Sequence, residues 1–160
     1  MSTHALHVYL GDHWAGSTAG SELAGKLRSR FAGTAREPFF TELAAAIDAD
    51  RETLRALMTS LGVQKSRVKE AAGWIVEKLS RLKLNERLTG APELTALLEM
   101  EALSLGIEGK LALWKGLETV ADRYPALAAV RLEGLAGRAR EQLEGLEVQR
   151  LTAAADALRP

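Results

Sequence analysis

Two glutamates stand where a helical protein normally buries apolar side chains. From Pro92 onward one seam reads Leu94, Leu98, Glu101, Leu105, Glu108 and Ala112, in steps of 4, 3, 4, 3 and 4. That is the spacing of one helix face packed on other helices. An ionised carboxylate in an apolar core must be paired, hydrogen-bonded or bound to a metal. Glu101 and Glu108 lie two turns apart, about 10.5 Å along the axis at ~1.5 Å per residue. The ions of a two-metal centre sit only ~3.5–4 Å apart, so at most one of these glutamates could belong to such a centre. The plainer reading is a pair of seam residues reaching Arg or Lys on a neighbouring helix. Met100, Leu103, Ile107, Trp114 and Leu117 lie on other sides of the same stretch, so the seam is not unique. A helix apolar nearly all round is either central or part of an oligomer contact.

Four further residues join this set. Asp50 falls on the line Phe39, Leu43, Ala46 or Ile47, Asp50, Leu54, Leu57 and Leu61. His13 falls on the line Leu6, Leu10, His13, Ser17, Gly20, Ala24, Leu27 and Phe31, with Asp12 beside it. Lys110 could neutralise a carboxylate on another helix. The residues Asp12, His13, Asp50, Glu101, Glu108 and Lys110 are therefore expected to share a buried polar cluster. His13, Asp50, Glu101 and Glu108 could between them hold a single metal ion, but a hydrogen-bonded histidine–carboxylate cluster without metal is more economical. Ser17 follows His13 by four residues, so a serine–histidine pair is within reach. Neither an oxyanion hole nor an acid partner for it can be argued. No residue is assigned a catalytic or cofactor-binding role, and a non-enzymatic function is favoured.

One near-motif is set aside. Gly20-Ser21-Glu22-Leu23-Ala24-Gly25-Lys26-Leu27 almost spells a phosphate-binding loop. Leu27 stands where the magnesium-binding Ser or Thr belongs, and no strand precedes it.

The elements that must position these residues are helices. Hydrophobic content is 47% and aromatic content only 5%. The bulk is Ala and Leu, which favour helix. Residues 3 to 32 read as a first helix, continuous through Gly11, Gly16, Gly20 and Gly25 because its apolar spacing keeps phase. Gly16 and Gly20 would let another backbone approach closely, and Gly106 and Gly109 read the same way. Gly33 to Arg36 is a turn, and residues 37 to 61 form a second helix that Gly62 ends. Residues 66 to 84 read as a basic amphipathic helix, and 85 to 91 as a loop. Residues 92 to 123 form the long helix described above. Tyr124–Pro125 marks a boundary, because a residue before Pro is pushed out of helical geometry. Residues 126 to 157 form the last helix, facing inward through Ala128, Leu132, Leu135, Ala139, Leu143, Leu146 and Arg150.

Four long helices with a shorter one between the second and third make one domain over residues 1–160. The expected fold is all-α, a ferritin-like four-helix bundle with the short helix in the crossover. Di-iron bundles need Glu-x-x-His on two helices. All three histidines precede residue 14 and none follows an acid by three residues, so that chemistry is not expected.

Formal net charge is zero, from 21 basic and 21 acidic residues. That argues against a non-specific nucleic-acid partner. Residues 61–90 carry seven basic and three acidic residues, a net +4, and 91–123 carry three and six, a net −3. With no cysteine, disulfides and thiol chemistry are excluded. No signal peptide and no membrane span is read, and a cytoplasmic location is expected. Trp74 on the basic helix leaves a peripheral membrane contact as a weaker alternative.

Tyr9-Leu10-Gly11-Asp12-His13, Ala15-Gly16-Ser17-Thr18-Ala19-Gly20, Leu82-Lys83-Leu84-Asn85, Glu99 to Glu101, Leu105-Gly106-Ile107-Glu108-Gly109-Lys110 and Trp114 carry a resemblance. Over roughly residues 6 to 120 the chain resembles a set of small helical bacterial proteins of uncharacterised function. The resemblance implies no activity; it implies that Asp12, His13, Glu101, Glu108 and Lys110 form a shared polar core. Three functions follow as expectations. The first is a structural or interaction role with self-association as a dimer. The second is a degenerate metal-binding or oxidoreductase bundle. The third is a bundle whose glycines leave room for a small apolar ligand.

Overall fold

A computed structural model of the chain describes residues 3–63 and 90–159. Among these residues the helices are α1 (His4–Arg30), α2 (Glu37–Ser60), α3 (Pro92–Glu118), the single-turn α4 (Pro125–Ala128) and α5 (Leu132–Ala157). A 3-10 turn at Ala121–Arg123 precedes α4. The described residues contain no strand, and none of their helices is long and apolar enough to cross a membrane. The expected helix over 66–84, its basic surplus and Trp74 lie outside the described residues.

Local chemistry sets the helix ends. Pro38, Pro92 and Pro125 sit in the first turns of α2, α3 and α4, where a missing N–H costs nothing. Gly33 (φ 76°) and Gly62 (φ 69°) take the left-handed conformation just beyond α1 and α2, where a side chain would be strained. The Gly33 N–H also donates to Glu37 Oε2 at 2.7 Å, tying the turn to the start of α2.

α1 runs unbroken through its glycines. Leu10 is buried at one end and Leu23, Ala24 and Leu27 at the other, so packing at both ends offsets the weak helix propensity between them. The last helix is not continuous from 126: the chain breaks over 129–131 before α5 begins. Leu127 and Leu132 are both buried. In one helix, at ~100° per residue, they would point about 140° apart; the break turns both inward. Likewise α3 ends at Glu118, short of the expected 123.

The core falls into two apolar clusters, one near each end of the helices. Leu23, Leu27, Phe40, Leu43, Met100, Leu103, Leu146 and Ala153 belong to one. Leu10, Leu54, Leu57, Leu113, Trp114, Leu117, Leu132 and Leu135 belong to the other. Their membership fixes direction. α1 and α5 run one way, and α2 and α3 both run the other. The end of α2 and the start of α3 therefore lie at opposite ends of the packed helices, as an up-down-down-up order requires.

The expected seam of α3 is half-buried through Leu94, Leu98 and Glu101, where Leu94 packs against the core, and turns outward from Leu105. Leu105 is 72% exposed, and Glu108 and Ala112 are exposed too. The buried seam is Ala96, Met100, Leu103, Ile107, Trp114 and Leu117. Its steps are 4, 3, 4, 7 and 3, and Lys110 divides the step of 7. Both faces have helical spacing. The buried one removes larger side chains from water and leaves both glutamates hydrated.

Candidate functional site

Between the two apolar clusters lies a polar layer. On α2 the buried line runs Leu43, Ile47, Asp50, Leu54 and Leu57. On α5 it runs Leu135, Ala139, Gln142 and Leu146. Each of α2, α3 and α5 thus places one polar residue at a core step, and the three meet. Asp50 is 1% exposed. Its carboxylate accepts from Lys110 Nζ at 2.7 Å and from Gln142 Nε2 at 3.1 Å. It also accepts from the Arg138 guanidinium, one turn before Gln142. Lys110 donates in addition to Gln142 Oε1. A carboxylate is tolerable at this depth because charged donors meet it. Burial pushes the Lys110 ammonium pKa below its ordinary value, Asp50 draws it back up, and Arg138 adds a smaller downward push. The cluster holds one carboxylate against two cations, and Arg138 keeps its side chain 46% exposed.

On the α1 side the same layer is open. A cavity of about 380 Å³ lies among α1, α2 and α3. Its walls are mostly apolar, including Leu23, Ile47, Leu54, Leu103, Ile107 and Leu113, and Asp50 and Lys110 also border it. Gly20, Gly106 and Gly109 line it, and a Cβ added at any of the three would meet no atom within 4 Å. The expectation that these glycines admit a close backbone is therefore corrected: they widen the space between helices.

His13 lines the cavity and is half-buried. Burial pushes its imidazole pKa below the ordinary 6.5, and the neighbouring Asp12 pulls the other way. The Tyr9 ring meets the imidazole edge-on, with centroids 4.6 Å apart. Ser17 Oγ donates to the Trp14 carbonyl at 2.6 Å, so its hydroxyl proton is engaged with its own helix. Arg51 lies with its guanidinium 4.4 Å from the Trp14 ring centroid and donates Nη2 to Thr18 Oγ1 at 3.2 Å. The Arg51 Nε–H and the Trp114 indole N–H are buried with no acceptor among the described residues. Both residues line the cavity.

The six residues expected to share one cluster are thus distributed. Asp50 and Lys110 are bonded, and Asp12 and His13 border the cavity beside them. Asp12 itself is exposed, because it sits off the inward line of α1. Glu108 is exposed on the outer face of α3, and Glu101, 45% exposed, reaches Arg150 at 3.3 Å. The two seam glutamates therefore do not join the cluster. Among the described residues no group of three or more His, Cys, Asp or Glu side chains is arranged to hold a metal ion.

Sequence reasoning missed Arg138, Gln142, Arg51 and Glu99. Gln142 had a signal: it completes the 3- and 4-residue steps of α5, which the reading through Leu143 passed over. Glu99 is buried and accepts from Arg30 Nε at 3.0 Å. It sits three residues after Ala96 and four before Leu103, a step that Met100 fills equally well, so periodicity alone does not choose between the two. No known protein family, curated protein or solved structure matches this chain.

Proposed function

We propose that this chain is a non-enzymatic binding protein, a ferritin-like bundle in the order of its helices, that holds one small apolar molecule among α1, α2 and α3. The observation that carries the reading is the cavity itself. Apolar walls and three glycines facing open space leave a volume of about 380 Å³. Ligand pockets have this character, apolar with a few polar groups at one side, and apolar cavities inside proteins take up apolar guests. A neutral naphthylamine dye tests it by fluorescence titration. Saturable binding at one site per chain is expected, with loss of binding in Gly109→Leu at a melting temperature no lower than that of the wild type. Absence of saturable binding in the wild-type protein would sink the reading.

A second reading, self-association, is supported by α5. Val148 and Leu151 are exposed three residues apart on one side of that helix, and Leu158 is exposed just beyond its end. Covering this apolar surface in a symmetric dimer would remove it from water. Sedimentation equilibrium tests it: a dimer that Leu151→Glu dissociates supports it, and a wild-type monomer at tens of micromolar removes it.

A further inference from the structure

We infer that the cavity takes an amphipathic carboxylate, its tail against Leu54, Leu103 and Leu113 and its head received by Arg51, with the Trp114 indole N–H as a second donor. The inference rests on the cavity being a ligand site and adds the chemical class of the ligand.

Three observations converge. First, two N–H groups on residues of the cavity wall are buried with no acceptor among the described residues, the Arg51 Nε–H and the Trp114 Nε1–H, and Trp114 is only 1% exposed. A buried donor left unmade costs ~1–3 kcal/mol, and more for a charged group. Folded proteins leave few of them. Neither N–H has appreciable accessible surface, so a ligand acceptor would satisfy them only where the cavity wall yields toward it. Second, the charges that line the cavity do not cancel where they matter. Asp50 is engaged by Lys110, Arg138 and Gln142, and Asp12 is exposed to water. Arg51 touches a hydroxyl and an indole ring, neither of which neutralises it. No ion pair joins Arg51 to a carboxylate among the described residues. Third, the rest of the wall is apolar. A carboxylate matches the Arg51 guanidinium one to one, while Lys110, the other cation on the wall, is already engaged by Asp50.

Calorimetric titration with octanoate and with 1-octanol, its neutral match in chain length, tests the inference on the wild-type protein. Octanoate is expected to bind at one site, tighter than 1-octanol by on the order of tenfold, the scale of a charge-assisted hydrogen bond. Arg51→Met should erase that preference while leaving 1-octanol binding in place, and Trp114→Phe should reduce it in part. Equal binding of the two ligands, or a preference that survives in Arg51→Met, overturns the carboxylate and leaves the apolar cavity standing. Binding of neither ligand overturns the cavity reading and this inference together.

Discussion

The two sides of the middle layer solve one problem in opposite ways. Toward α5, the space between the apolar clusters is filled by charge: Asp50 meets Lys110, Arg138 and Gln142. Toward α1, the same layer offers Gly16, Ser17 and Gly20 opposite Gly106 and Gly109, and a cavity remains. The filled side is built from long side chains on three helices that reach a common point. The open side is walled by apolar side chains and kept open where glycine and serine take the place of a longer one. Asp50 and Lys110 border both. One side fixes how the helices pair, and the other leaves room beside that fixed point.

The largest effect should come from unbalancing the filled side. Asp50→Ala leaves Lys110 buried with no carboxylate, and breaking a buried pair from one partner costs about 3–5 kcal/mol. Asp12→Ala, at an exposed position on the rim of the open side, should stay within ~0.5 kcal/mol. Urea denaturation of both variants measures the contrast. If the Asp50→Ala midpoint moves no further than that of Asp12→Ala, the layer does not hold the bundle through charge. Lys110→Met is expected to fall between them, on the order of 2 kcal/mol, since Arg138 and Gln142 still serve Asp50.

Periodicity made Asp50 legible in the sequence because α2 has one apolar face, and a carboxylate on that face stands out. The same logic failed on α3, where two faces carry helical spacing. There Leu94, Leu98 and Leu105 compete with Met100, Leu103, Ile107 and Trp114. Only the packing of neighbouring helices decides between such faces, and it favours the one with larger side chains. The cavity was legible only as one of two alternatives. Gly20, Gly106 and Gly109 signal either close approach or open space, and a sequence does not separate the two. The break at 129–131 was equally hidden, since neither Gly nor Pro marks it. It follows from where Leu127 and Leu132 must point.

Glycine substitutions sharpen the contrast at a smaller scale. A Cβ at Gly109 meets nothing within 4 Å, so Gly109→Ala should keep the helix geometry and stabilise the protein by about 1 kcal/mol through reduced backbone freedom. Gly145 on α5 is the counter-case: its added Cβ would lie 2.8 Å from the Phe39 ring. Gly145→Ala should lose that gain to the displaced ring. Thermal unfolding of the two variants separates them. A rise in melting temperature for both, by equal amounts, would mean that the difference in space around these glycines has no energetic consequence.

The smallest effect concerns His13, the ionisable group that α1 contributes to the cavity wall beside Asp12. Its pKa in the folded protein lies below 6.5, because burial outweighs the pull of Asp12. As pH falls, the unfolded chain therefore takes up this proton before the folded one does. In that interval the unfolded state binds more protons, so folding stability rises with pH there. The stability linked to His13 is complete above 6.5 and is lost as pH drops through the folded-state value. Denaturation of wild type and His13→Gln between pH 7.5 and 5 isolates the contribution, since His4 and His7 are common to both proteins and cancel in the difference. The wild-type curve should fall more steeply below 6.5, and parallel curves would show that His13 is as well hydrated as in the unfolded chain. A carboxylate bound in the cavity would oppose the effect of burial on this imidazole. Saturating octanoate should then raise the His13 pKa and bring the two curves together, which ties the weakest electrostatic signal on the open side to the ligand proposed for it.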